Sequence, residues 1–145
     1  MKNLVYAGNG AYNRVEDLGR TVQSGAPVID KAGKPAVPLT ASADATGTKV
    51  QDGITLSGFP IGGVGLKEQE VTLAFDVTAE FLAADFDGTA PTVSALTQGQ
   101  AINYKTSNNK LTTAAVASGI VAYGTVDFTP DYDKTRGYVP VKIGA

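Results

Sequence analysis

Between Glu70 and Ala79 apolar and polar residues alternate, with Val71, Leu73, Phe75 and Val77 set against Thr72, Ala74, Asp76 and Thr78. A period of two marks a β-strand with one face on a core. The run lies between a charged turn at Lys67 and Glu68 and the apolar pair Phe81 and Leu82, which predicts a strand crossing the middle of a sheet. A second run, Ile120 to Phe128, has the same period, with Ile120, Ala122, Val126 and Phe128 predicted on one face and Val121, Tyr123 and Asp127 on the other. The predicted core is Val71, Leu73, Phe75, Val77, Ile102, Ile120 and Val126.

Around these runs the turn residues come quickly. Ser24-Gly25, Lys31 to Pro35 and Pro38 enclose short β segments at Pro27–Ile29 and Ala36–Leu39, which predicts a hairpin with its prolines at edges or strand starts. Val50–Leu56 reads as a further short strand. The glycine-dense stretch Ser57 to Gly65 lacks a Gly-Lys-Ser/Thr ending, a preceding buried strand and a following helix, so it reads as a bend and not a phosphate loop. Helix is predicted at most as one or two turns over Thr78–Ala84 and Thr113–Ser118, stopped by Asp87-Gly88 and Gly119. Val22–Lys31 and Leu96–Lys105 share an apolar residue, a glycine, a β-branched residue and a lysine in one register, which fits either duplication or two similar turns. The fold class expected is all-β: an antiparallel β-sandwich or small β-barrel with an extended N-terminal arm and little helix.

The arm is residues 1–20, and one β domain is expected over 21–145. Residues 1–20 carry Gly8, Gly10, Gly19 and three asparagines, and their apolar residues keep no period over a useful length. The first 34 residues hold five Lys or Arg against three Asp or Glu, and the remainder seven against eleven, so a basic start precedes an acidic body. A chain of 145 residues buries roughly 70% of its unfolded surface, enough for a core without staples. The absence of Cys removes disulfides, thiolate metal sites and cysteine nucleophiles, and the absence of His removes the commonest base and metal ligand. A net charge of −2 gives no reason to expect nucleic acid or an anionic membrane. No apolar run is long enough for a signal core or a spanning helix, so a soluble protein made in a cytoplasm is expected.

Candidate chemistry is sparse. Asp85-Phe86-Asp87-Gly88 and the Asp127, Asp131, Asp133 group offer oxygens for a hard cation, but the first lacks a distal Glu and the second reads as a turn whose carboxylates cap backbone groups. No metal, cofactor or catalytic residue is assigned. Six tyrosines could stack on sugars, yet without Trp they read better as strand and interface residues.

Three stretches resemble the decoration, or cement, proteins of tailed-bacteriophage heads, a group overlapping with head fibre proteins. Val22-Gln23-Ser24-Gly25-Ala26-Pro27-Val28, followed by Gly33–Leu39, is similar to that family's opening turn and strands. Gln98–Tyr104 with Asn108-Asn109-Lys110-Leu111-Thr112 resembles its central hairpin, and Gly119–Val126 with Tyr138–Ile143 resembles its last two strands. The resemblance implies a non-enzymatic β domain on the outer surface of the virion capsid, bound to the major capsid protein and bridging its subunits. It also implies a homo-oligomer, with a trimer favoured, and an arm laid on the capsid or a neighbouring protomer. The arm residues expected to make that contact are Leu4, Val5, Tyr6, Tyr12, Arg14, Val15, Leu18 and Arg20. The alternative is a virion-surface module that binds a receptor or carbohydrate.

Overall fold

The computed structural model describes residues 4–63 and 65–144. Among them the strands run β1 (Leu4–Asp17), β2 (Val28–Ile29), β3 (Pro35–Pro38), β4 (Thr46–Gln51), β5 (Ile54–Pro60), β6 (Glu70–Phe81), β7 (Ala101–Lys105), β8 (Lys110–Thr112), β9 (Ile120–Val126) and β10 (Val139–Ile143). Strand makes up 46% and helix 7%, the helix only as 3-10 turns at Ala83–Asp85, Val93–Ala95 and Lys134–Arg136, so the all-β expectation holds. Of the two short helices expected, the first is reduced to the 3-10 turn Ala83–Asp85, because β6 continues through Phe81, and the second does not form, since residues 113–118 are irregular.

β6 is the strand every other part is referred to. Its Glu70–Ala79 length pairs antiparallel with β1 on one side. Its other side is shared by two strands in succession: β3 against Leu73 and Ala74, then β10 against Thr78 to Phe81. The sheet forks at this point. One branch continues to β2, and the other runs β10, β9, β7, β8.

At the fork stands Asp76, with φ of 55°. A residue in the left-handed region breaks the strict alternation of a strand. Before it, Val71, Leu73 and Phe75 enter one apolar cluster with Val22, Val28 and Ala36; after it, Val77, Ala79 and Phe81 enter the larger cluster with Ile102, Tyr104, Leu111, Val126 and Val141, which Ala74 also joins. All four residues predicted to be buried on β6 are buried, but they face two clusters and not one.

A second irregularity corrects the reading of β9. Ile102 pairs with Gly124 and Asn103 with Ala122, so Tyr123 is an extra residue opposite the β7 ladder. The bulge turns Tyr123 inward to 1% exposure and leaves Ala122 exposed, the reverse of the period-two expectation; Ile120 is half-buried. The Tyr123 hydroxyl donates to the Ala36 carbonyl on β3 at 2.6 Å, tying the two branches together across the core. Its ring meets Phe81 edge-on at 5.8 Å and lies parallel to Tyr104 at 6.0 Å. Gly124 beside it allows the close approach, since a Cβ there would stand 2.3 Å from the Lys142 carbonyl oxygen.

The segment read as one strand at Val50–Leu56 is instead a hairpin. Asp52 and Gly53, with φ of 50° and 75°, form the two-residue turn that joins β4 to β5.

Asp76→Val is expected to lower stability by about 2 kcal/mol, because a β-branched residue is strained at this φ, whereas Asp76→Gly and Asp76→Asn should stay close to the wild type. Urea unfolding of the three variants checks this. Equal tolerance of Val and Gly would mean the backbone does not turn over at this position.

Candidate functional site: the outer face of β1

The residues expected to form a detached arm are, in the structure, strand β1 of the chain's own sheet. The apolar period is missing because β1 is held by a different device. Its pairing with β6 is interrupted between Ala7 and Tyr12, opposite Asp76, where the glycine-containing stretch lets the strand shift register. Beyond the interruption the pairs Tyr12 with Phe75, Arg14 with Leu73 and Glu16 with Val71 place three side chains over the smaller cluster.

These side chains form a clamp. The Tyr12 ring stacks on Phe75 with centroids 4.8 Å apart and planes 11° apart. Lys34 donates from Nζ to the Tyr12 hydroxyl at 2.7 Å and lies 4.7 Å from the Tyr12 ring centroid, with Asp76 3.5 Å away. The Arg14 guanidinium lies 5.0 Å from the Phe75 ring centroid and donates to Asp30 at 2.5 Å. Cations over aromatic faces contribute about 0.5–1 kcal/mol each when exposed and more when desolvated. The Asp30 pair is the part that does not tolerate removal, because the Asp30 side chain is only 1% exposed while that of Arg14 is 46% exposed. Asp30 also accepts the Ala32 and Lys34 backbone N–H groups at 2.9 and 2.7 Å, so one carboxylate shapes the β2–β3 turn and holds β1. Glu16 adds a bond from the Lys31 N–H at 3.3 Å.

Of the eight residues expected to make the contact, Leu4, Val5 and Tyr6 have side chains outside the described residues. Tyr12, Arg14 and Val15 come together on β1, with Tyr12 41% and Val15 48% exposed. Val15 points away from the clamp, opposite Thr72. Leu18 packs on the smaller cluster, and Arg20 stands close enough to the Tyr104 phenol to oppose the rise of its pKa, so both sit with the body of the fold. Sequence reasoning missed Asp30, Lys34 and Phe75 as partners of this segment; the only available signal was the spacing Tyr12, Arg14, Glu16, whose period of two carries charge and not hydrophobicity.

Elsewhere the candidate chemistry resolves into structure. Among the described residues no three acidic groups are placed to hold a metal. Asp133 caps the 3-10 turn by accepting the Thr135 N–H at 3.0 Å and the Thr135 hydroxyl at 2.5 Å, and that hydroxyl and then the amide draw its pKa down. Lys105 and then Asn108 do the same for Asp87. Glu80 takes two bonds from Arg136, at 3.2 and 3.1 Å, and one from the Tyr132 hydroxyl at 2.9 Å. No helix among the described residues is long and apolar enough to cross a membrane. The chain matches no protein-family model, and neither a curated protein nor a solved structure is similar to it.

Two outcomes are expected. Arg14→Ala should cost about 2–3 kcal/mol by leaving the Asp30 carboxylate with backbone donors alone, and adding Asp30→Asn should recover part of that loss. A double-mutant cycle in urea measures the coupling; additive effects would show that the pair does not hold β1. The second outcome is alkaline lability. Burial pushes the Tyr123, Tyr104 and Tyr132 phenols upward, and the Tyr12 hydroxyl raises Lys34. Each raised value stabilises the fold fully below the ordinary value, 10.0 for the phenols and 10.5 for Lys34, and that stability is lost as pH rises through the folded values. The melting temperature should therefore be level from pH 8 to about 10 and fall above it, with tyrosinate absorbance appearing together with unfolding. Tyrosinate titrating fully at its ordinary pH in the folded protein would contradict the buried placement.

Proposed function

We propose that this protein is a non-enzymatic decoration protein of a bacteriophage capsid, binding the outer surface of the assembled head and stabilising it by bridging subunits of the major capsid protein. The observation that carries the reading is the exposed part of β1: a long strand that among the described residues pairs with β6 on one side only, with Tyr12 and Arg14 part-exposed on the clamp face and Val15 on the opposite face, its backbone fixed to Phe75 and Asp30. Tyr and Arg are the residues that dominate interface energetics, and holding them rigid in advance lowers the entropy lost on binding. An unpaired edge also offers backbone N–H and C=O groups to a partner's strand. The resemblance of Val22–Val28, Gln98–Thr112 and Gly119–Val126 to capsid decoration proteins points to the same class, and through it to the homo-oligomer, with three copies favoured.

A receptor- or carbohydrate-binding module would draw on the aromatic loop after β9. There the Tyr132 hydroxyl is already committed to Glu80, and Lys134 and Arg136 each stand over one face of Phe128 and Tyr138, at 4.3 and 4.8 Å, which leaves fewer ring faces for a sugar. The decoration reading is therefore preferred.

The test is titration of the purified protein onto capsids stripped of, or assembled without, decoration. Binding should saturate at a fixed number of copies per capsid, and Val15→Glu should weaken it at least tenfold, about 1.4 kcal/mol, while leaving the melting temperature unchanged. Binding that does not saturate, or that ignores the substitution on β1, would refute the assignment of this face.

A further inference from the structure

Among the described residues the main sheet ends at three strands. β2 and β8 end it with two and three residues, too short to receive a further strand, whereas β1 runs for 14 residues and pairs with β6 alone. Sheet edges are ordinarily guarded by brevity, proline or lysine. β1 contains neither proline nor lysine. Its regular part is Tyr12–Asp17, beyond the register shift that follows Ala7.

The ladder to β6 fixes which backbone groups of this part are free. Leu18 N–H donates to the Gln69 carbonyl at 3.3 Å, and the pairs Glu16 with Val71, Arg14 with Leu73 and Tyr12 with Phe75 continue that register at every second residue. Thr72, opposite Val15, gives its carbonyl to the Leu39 N–H at 2.8 Å, on the far side of β6. In an antiparallel ladder the N–H and C=O of one residue point to the same side, and the side alternates along the strand. Tyr12, Arg14 and Glu16 therefore bond to β6. Asn13, Val15 and Asp17 turn their backbone groups outward, and all three residues are exposed.

We propose that this edge pairs with the same edge of a second copy, antiparallel about a two-fold axis, with Val15 opposite Val15 of the second copy. Charge selects both the occupant and the register. Arg14 then lies opposite Glu16 of the second copy, Glu16 opposite its Arg14, and Asn13 and Asp17 face one another in both directions. Opposite charges across a ladder attract, and like charges repel. An axis at Arg14, Glu16 or Asp17 would set that residue against its own copy, and an axis at Asn13 would leave Glu16 opposite Gly10. Parallel pairing in register would stack Arg14 on Arg14 and Glu16 on Glu16. A two-fold contact needs a pattern that complements itself, because the same patch meets itself. The clamp does not oppose the contact: the Arg14 side chain is 46% exposed while bonded to Asp30, and a guanidinium has further donors to offer. The proposal names a partner for the backbone edge of β1 and does not rest on the decoration reading. A two-fold contact joins copies in pairs, and a three-copy assembly would use a different surface.

The test uses the full chain alone, without capsids, so its outcome is separate from that of the capsid titration. In sedimentation velocity at up to about 0.1 mM, which populates contacts of micromolar affinity, the wild type should run as a dimer. Val15→Pro removes an outward N–H and leaves the ladder to β6 whole, so it should keep the melting temperature and run as a monomer. Asn13→Asp places a carboxylate opposite Asp17 of the second copy and should weaken the dimer about tenfold, whereas Asn13→Lys should tighten it. These two exposed substitutions decide the matter if Val15→Pro does not fold. The register is read by oxidation, since the chain has no cysteine of its own. Val15→Cys should give a disulfide-linked dimer, its Cα atoms standing about 5.5 Å apart, and Asn13→Cys, opposite Asp17, should not. A monomeric wild type, a folded Val15→Pro that still dimerises, equal affinity of the two Asn13 variants, or equal cross-linking at the two positions would each overturn the proposal.

Discussion

The backbone turn at Asp76 sets the rest of the structure. A strand that alternates strictly can serve one core on each face, but each face then stays committed along its whole length. By taking a left-handed conformation at Asp76, β6 gives Phe75 to one apolar cluster and Val77 to the other, and moves from β3 to β10 as its neighbour at the same place. The interruption of β1 opposite this residue and the close packing of Gly144, where a Cβ would lie 2.9 Å from the Asp76 carboxylate, follow from the same turn. What the fork divides, Tyr123 joins again through its hydrogen bond to Ala36.

The charged residues complete what apolar burial leaves unfinished. β1 covers a sheet edge without an apolar stripe of its own, and a strand with so many polar side chains is fixed instead by stacking, cations over rings and one nearly buried carboxylate. The Arg14 and Asp30 pair lies within the first 34 residues and holds β1 to the β2–β3 turn. It also leaves the outer surface of β1 rigid and rich in groups suited to binding, the combination on which the decoration reading depends.

Three exposed regions thus remain with distinct chemistry. The β1 face is aromatic and charged, suited to a polar and specific partner. The β4–β5 hairpin exposes Val50, Ile54 and Leu56 beside Lys49 and Asp52, and the surface at the start of β9 exposes Val116 and Val121.

The sequence by itself determined the elements and the class. The period of two over Glu70–Ala79 located β6, the turn residues bounded β2 with β3, and the scarcity of helical patterning pointed away from a helical fold, because these are local properties of neighbouring residues. The β4–β5 turn is equally local, since Asp52-Gly53 is a hairpin dipeptide, yet reading Val50–Leu56 as one strand passed over it. The tertiary structure decided which way the irregular residues face. Nothing near Tyr123 distinguishes a bulge from a regular strand; the choice is made by β7 and β10 around it, where an inward phenol can reach the Ala36 carbonyl and Gly124 can approach Lys142. Likewise the apolar residues of 4–17 keep no period that announces a strand, and the segment becomes one where Phe75, Lys34 and Asp30, distant in sequence, stand together to receive Tyr12 and Arg14. Alternation and turns are written in adjacent residues, whereas bulges and clamps depend on partners that only the folded chain brings into contact.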